Sequence, residues 1–115
     1  MNKIYDEEEY VRSLRAIRDA LDVISGKWKL QIIVSLWVGN KRFREIERSI
    51  PGMTPKVLTK ELKDLQEHQL IKRTVFDDSP VLVEYTLLPY ANSLATVIDE
   101  LKTWGINHRK TLFGK

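Results

Sequence analysis

Apolar residues recur at steps of three and four along much of the chain, which is the period of one face of an α-helix. A first helix is predicted from about Glu8 to Ile24, where Gly26 closes it, and a second from about Lys27 to Trp37. A short helix over Arg44–Ser49 should follow an extended segment at residues 41–43. The first half of the chain is therefore predicted to be helical.

Turn and capping signals organise the rest of the chain. Pro51-Gly52 predicts a turn, and Thr54-Pro55 predicts a helix with a threonine N-cap and a proline in its first turn. This helix is expected to extend over about residues 54–68. Two runs rich in β-branched and aromatic residues, 71–76 and 81–87, predict a β-hairpin.

The turn of this hairpin is predicted at Asp77-Asp78-Ser79-Pro80, and a last helix from about Pro89 to Trp104. The element order predicts a mainly α protein with a small β-hairpin. This order of elements is typical of a winged helix-turn-helix with extra N- and C-terminal dimerisation helices. We expect one domain over residues 1–115, with a DNA-binding core at about 27–88 and dimerisation helices at about 8–25 and 89–108.

The net charge of +3 is unevenly distributed along the chain. Residues 27–76 carry eleven basic and five acidic groups, a net charge of +6, whereas residues 1–26 have −2 and residues 77–115 have −1. A localised basic surface is typical of a protein that binds a polyanion, because lysine and arginine release counterions when they meet phosphates. A basic face that is merely solvated is the alternative interpretation of the charge alone.

The helix that begins at Thr54 has two contrasting sides, with leucines on one and three lysines and a threonine on the other. Such a stripe can follow a phosphate backbone or contact base edges, although outward lysines also occur on ordinary amphipathic helices. Further basic residues should lie on the same side of the fold. The predicted DNA-binding residues are Arg42, Arg44, Thr54, Pro55, Lys56, Thr59, Lys60, Lys63, Lys72 and Arg73.

The two terminal helices carry more apolar residues than one small core can cover, and such a surface indicates an interface. A two-fold homodimer is the commonest way to cover such a surface. It would set the two recognition helices, those that begin at Thr54, about 34 Å apart, which is one turn of DNA. The alternative is that both helices pack on their own core. The predicted dimer contacts are Val11, Leu14, Ile17, Leu21, Leu94, Val97, Leu101 and Trp104.

Four segments resemble the HxlR-type regulators, relatives of the MarR group. Residues 20–29, ALDVISGKWK, are similar to their opening A-L-x-x-I-x-G-K-W, and residues 41–46, KRFREI, to R-F-x-E-L/I. Residues 50–59, IPGMTPKVLT, resemble I-P-G-I-S-x-K-x-L-T, and residues 83–87, VEYTL, resemble V-E-Y-x-L. The likeness covers about residues 15–105. It implies a homodimeric bacterial transcriptional regulator that binds pseudo-palindromic double-stranded operator DNA.

Two features depart from that resemblance. Many members carry Cys-Pro, through which some sense oxidants or electrophiles, where this chain has Arg15-Ala16; without cysteine, a thiol-based signal is excluded and the effector is left open. An arginine often precedes V-E-Y, where this chain has Leu82, and the wing tip holds Asp77 and Asp78. Because carboxylates repel phosphates, the two basic residues at the base of the wing are better candidates for a backbone contact.

Other function classes have little support in the sequence. The two histidines, His68 and His108, lie on different segments, and no cluster has metal-ligand spacing, so neither a metal nor a cofactor is expected. The apolar runs are too short to span a membrane, and no signal-peptide core is found, so the cytoplasm is the expected location. A winged helix that binds only proteins is the main alternative, and a small enzyme or ligand carrier is the third.

Overall fold

The computed structural model describes residues 6–77 and 79–115; residues 1–5 and Asp78, predicted within the wing turn, lie outside the described residues. Five α-helices, one 3₁₀ helix and a two-stranded antiparallel sheet follow each other along this part of the chain. The predicted fold class is confirmed. The elements are α1 (Glu7–Ile24), α2 (Lys29–Trp37), α3 (Phe43–Ser49), α4 (Pro55–Glu67), β1 (Ile71–Phe76), β2 (Leu82–Leu87), the 3₁₀ helix (Pro89–Leu94) and α5 (Ala95–Phe113).

The core lies where α2, α3 and α4 meet the start of the hairpin. Its largest side chains are almost fully removed from water, which is the main source of stability in a domain of this size. A polar link joins α2 to α3, since the hydroxyls of Ser35 and Ser49 lie 2.6 Å apart and Asn40 donates to Ser35 at 3.1 Å. The largest fully buried side chains are those of Ile32, Ile33, Ile46, Leu58, Leu62, Leu65 and Leu70.

The prediction that α2 begins at Lys27 is wrong by two residues. Trp28 is the N-cap, and Gly26 just before it has a φ of +93°, so the chain turns here before it becomes helical. The Trp28 side chain is half-buried against the core and packs over the turn between α3 and α4. At Gly52, where φ is +82°, a Cβ atom would lie 3.5 Å from the tryptophan ring. Glycine is favoured there because other residues rarely adopt a positive φ.

The hairpin pairs Ile71 with Leu87 and Phe76 with Leu82, so β2 begins one residue later than predicted and Val81 is exposed. The N–H of Tyr85 donates to the carbonyl of Lys41 at 2.8 Å, which attaches the segment before α3 to the hairpin. These bonds bring the start of α3 and the base of the wing together, as the winged-helix prediction requires.

The C-terminal helix differs from its prediction at both ends. Residues 89–94 form a 3₁₀ helix, and α5 continues to Phe113 instead of ending near Trp104. Gly105 lies inside α5, whereas Gly114 adopts the left-handed conformation (φ +72°) and donates its N–H to the Lys110 carbonyl at 2.8 Å. A helix tolerates an internal glycine at a small cost, so the second glycine, and not the first, is the stop signal.

The molecule is elongated, with principal extents of 60 × 38 × 23 Å and a radius of gyration of 17.3 Å. A compact chain of this length would have a radius of gyration of roughly 13 Å. The excess arises because the terminal helices extend away from the core: none of the described residues of α1 or α5 is buried. No helix in the described ranges is both long enough and apolar enough to cross a membrane.

Candidate nucleic-acid interface

The helix α4 begins at the two residues that predicted it. The Thr54 side chain accepts a hydrogen bond from the N–H of Val57 at 3.3 Å, and Pro55 occupies the first helical position. Three leucines bury the opposite side of the helix against the core. The exposed side is therefore fixed by local sequence signals. In the first turn only the N–H of Lys56 is left for an anion, because Pro55 has no N–H and that of Val57 is bound to Thr54.

All ten residues predicted to bind DNA are exposed. They come from three places: the segment where α3 begins, the N-terminal two thirds of α4, and the first half of β1. Exposure is necessary for the predicted role, because a phosphate or a base edge must reach these side chains. The residues are Arg42, Arg44, Thr54, Pro55, Lys56, Thr59, Lys60, Lys63, Lys72 and Arg73.

The polar groups on α4 are not equivalent. Lys60 Nζ lies 3.6 Å from a carboxylate oxygen of Glu61 and 3.7 Å from one of Asp64. Lys56 and Lys63 have no ion pair within the described part of the chain. The Thr59 hydroxyl donates to the Pro55 carbonyl at 2.8 Å, so its oxygen can accept a further hydrogen bond but has no second proton to donate.

A charged contact that the sequence pattern did not predict lies behind this surface. Glu61 is 6% exposed, although it lies on the helix that was predicted to bury only leucines. Lys29, at the start of α2, reaches its carboxylate at 3.2 Å. The helical period gives the signal that could have found Glu61, since it lies beside Leu65 at the edge of the inward side of the wheel.

The two basic residues of the wing face opposite sides of the hairpin. Arg73 pairs with Tyr85 and Lys72 with Thr86, and successive residues of a strand point to opposite faces. Arg73 shares its face with buried Ile71, whereas Lys72 lies on the other face. The structure therefore places the two side chains on different faces of the hairpin.

Glu45 anchors the basic segment at the start of α3. One carboxylate oxygen accepts hydrogen bonds from the N–H of Arg42 at 3.0 Å and from that of Lys41 at 3.1 Å. These two bonds, the one from Arg42 first, hold the pKa of the Glu45 carboxyl below its ordinary value of 4.5. The ionised carboxylate thus holds the backbone from which both basic side chains extend.

We expect Glu45→Gln to lower stability at neutral pH, with the loss shrinking as the pH falls below 4.5. A carboxyl whose pKa is lower in the folded than in the unfolded state stabilises the fold at pH values above its unfolded-state pKa. This contribution disappears as the pH falls through the folded-state pKa. Thermal unfolding of parent and variant between pH 7 and pH 3 measures the difference. Glu47→Gln on the same helix is the control. A difference between parent and Glu45→Gln that is constant over this range would contradict the assignment.

The apolar residues of the terminal helices are largely uncovered. Seven of the eight predicted dimer contacts are between 40% and 64% exposed, namely Val11, Leu14, Ile17, Leu21, Val97, Leu101 and Trp104. The eighth, Leu94, is half-buried against the core and is less available to a partner. Because α5 is longer than predicted, it exposes three more apolar side chains, those of Ile106, Leu112 and Phe113.

Comparison with known proteins agrees with this geometry. The family model described as HxlR-like helix-turn-helix matches residues 23–112, which include the whole helix-turn-helix and hairpin and almost all of α5. The chain belongs to the HxlR-like family. It is similar to the HTH-type transcriptional regulator YtcD of Bacillus subtilis, with 39% identity over 99 residues, 86% of this chain and 79% of YtcD. A regulator of Methanothermobacter thermautotrophicus is 37% identical over 99 residues, 86% of this chain and 73% of the relative.

Solved structures of HxlR-like relatives have the same fold. The redox regulator HypR in its reduced form superposes with a TM-score of 0.78 at 33% identity, over 87% of this chain and 99% of HypR. The reduced form of YodB from B. subtilis gives 0.72 at 30% identity, over 87% and 95% of the two chains. The family and these relatives are helix-turn-helix transcriptional regulators, so this chain is a regulator of transcription and not an enzyme.

Proposed function

We propose that this HxlR-like chain binds double-stranded operator DNA as a homodimer, with α4 in the major groove. The observation that carries the proposal is the exposed cationic side of α4, which begins at a capped N-terminus and is backed by three fully buried leucines. The packing of these leucines holds the helix against the core with its polar side outward. A helix of this kind fits the major groove, where its N-terminal residues reach base edges.

The α4 side chains divide by chemistry. Lys56 and Lys63 have no ion pair in the described part of the chain, so they are assigned to phosphates and supply most of the electrostatic attraction. Thr59 is an acceptor only, which suits it to the exocyclic amino group of adenine or cytosine. Thr54 and Pro55 set the start of the helix so that the one free N–H of its first turn, that of Lys56, faces the DNA backbone.

Two further groups of basic residues extend this contact. Arg42 and Arg44, at the start of α3, are assigned to the phosphates that flank the groove. In the wing, Lys72 and Arg73 are assigned to different phosphates, because they face opposite sides of the hairpin. Asp77 at the wing tip is exposed and repels phosphates, so the tip itself makes no close backbone contact.

The homodimer is proposed to form through α1 and α5. Five large apolar side chains of α1 are more than 40% exposed, which is an unusual surface for an isolated helix in water. Two-fold pairing would cover them and would set the two α4 helices about 34 Å apart, matching successive major grooves of a pseudo-palindromic site. On this proposal residues 1–115 act as one domain of the dimer, in the cytoplasm, where prokaryotic DNA is accessible.

Titration of the protein against duplex DNA at several salt concentrations tests the proposal. A dimer that contacts at least six phosphates should lose roughly a thousandfold in affinity between 50 and 200 mM salt. The duplex should be selected from a random-sequence pool, and a scrambled duplex of equal length is the control. A winged helix that serves only as a protein-interaction module would bind neither duplex, and this outcome would overturn the proposal.

A further inference from the structure

A cluster of four charged side chains lies where the start of α2 meets the middle of α4. Lys29 Nζ is 3.2 and 3.3 Å from the two carboxylate oxygens of Glu61 and 3.5 Å from an oxygen of Asp64. Only 12% of the Lys29 side chain and 8% of the Glu61 side chain are exposed. The same two carboxylates also hold Lys60 Nζ, whose side chain is 74% exposed.

An ion pair at this depth is not needed for stability. Removing two charges from water costs about as much as their attraction returns, and apolar side chains of similar volume often replace such a pair without destabilising the fold. What the ion pair adds is a directional contact that opposes rotation of α4 about its own axis. The leucines of α4 resist separation of the helix from the core, but non-directional contacts resist rotation about the helix axis less well. A lysine that contacts both oxygens of one carboxylate on the flank of α4 opposes that rotation.

The cluster also constrains one residue of the proposed DNA surface. A free lysine side chain loses rotamer freedom when it binds a phosphate. The Lys60 ammonium is already restrained by Glu61 and Asp64, so it has less freedom to lose, whereas Lys56 and Lys63 have no such restraint within the described residues. Lys60 is therefore suited to a position-dependent contact and the other two lysines to general attraction.

We propose that Lys29 is a positioning residue for DNA recognition. Through Glu61 and Asp64 it fixes the rotation of α4 and holds the Lys60 ammonium at one place on the exposed side of the helix. This inference rests on the proposed function and specifies how the α4 surface discriminates between DNA sequences. Lys29 itself is largely buried and contacts no DNA.

The decisive variant is Lys29→Met combined with Glu61→Met, which preserves the net charge and keeps side chains of similar size but replaces the directional ion pair by an apolar contact. Its preference for the selected duplex over the scrambled duplex, measured as the ratio of the two dissociation constants, should fall roughly tenfold. Affinity for the scrambled duplex should stay within about twofold, and the thermal midpoint should not fall. Lys29→Arg, which keeps the ion pair, should retain the preference of the parent within about twofold.

A cycle with Lys60→Met tests the route through Lys60. If the pair acts through this ammonium, adding Lys60→Met to the double methionine variant should lower the preference by much less than Lys60→Met does alone. If instead the losses of preference caused by Lys60→Met and by the double methionine variant multiplied, the pair would not act through Lys60. An unchanged preference, or a double variant that unfolds at the assay temperature, would overturn the inference. A parent protein that binds no duplex would instead refute the proposed function, so the two failures are distinguishable.

Discussion

Lys56→Glu combined with Lys63→Glu should weaken binding to the selected duplex at least about a hundredfold. In each protomer, two side chains that attract phosphates are replaced by two that repel them, and a dimer carries this change twice. These lysines are chosen because, among the described residues, neither is held in an ion pair, so the reversal leaves the Lys29–Glu61 contact intact. The steepness of the salt dependence should fall by about 0.9 for each phosphate that the variant no longer neutralises.

Equilibrium titration at fixed salt measures this effect, and circular dichroism establishes that the variant is folded. The matched control is Lys110→Glu combined with Lys115→Glu, which changes the net charge equally at the C-terminal end of the chain. The control should bind within a few-fold of the parent. If both double variants weakened binding to the same extent, total charge and not the α4 surface would govern the interaction.

Leu14→Asp combined with Leu101→Asp should convert the dimer to a monomer and weaken operator binding by about two to four orders of magnitude. Both side chains are more than 40% exposed in the single chain, so their replacement leaves the core intact. A charge in the middle of an apolar interface opposes association because it would lose its water. Affinity then falls because one recognition helix no longer raises the effective concentration of the other.

Light scattering at about tens of micromolar protein measures the oligomeric state, and the same duplex titration measures affinity. The matched control is Arg12→Gln combined with Lys102→Gln, which lowers the net charge by the same amount on the polar sides of the two helices. It should remain dimeric. A monomeric parent, or a monomeric variant that binds the selected duplex as tightly as the parent, would contradict the dimer proposal.

Local signals were sufficient to predict the position of α4 and the hairpin. Thr54 and Pro55 specify where the helix begins, and the leucine period specifies which side is buried, because both effects act within one or two turns of chain. The end of α5 was not predictable in this way. Gly105 and Gly114 are equally good stop signals in the sequence, and only the conformation of Gly114 distinguishes them.

Contacts between residues far apart in the sequence were also not predictable from local signals. Glu61 was overlooked because a carboxylate on the inward side of a helix is unfavourable unless a cation meets it, and Lys29 is 32 residues away in sequence. In the same way, the sequence shows that Lys72 and Arg73 are basic residues near the base of the wing but does not show which face each side chain leaves. The strand register separates them, since neighbours in a strand point to opposite faces.

This chain lacks the residue type on which thiol-based redox control depends. HypR is named a redox regulator, and YodB has been crystallised after diamide treatment and with quinone bound. This chain contains no cysteine, so neither a disulfide nor a thiol adduct can form on it. Its response, if it has an effector, must use non-covalent binding or another side chain.

Methylation interference on the selected duplex tests most directly whether α4 lies in the major groove. The N7 atom of guanine faces only that groove, so a methyl group there obstructs a helix that occupies it. We expect two clusters of interfering guanines whose centres are about ten base pairs apart, one for each α4 of the dimer. Tight binding of a guanine-containing duplex with no interference at any guanine N7 would contradict this expectation.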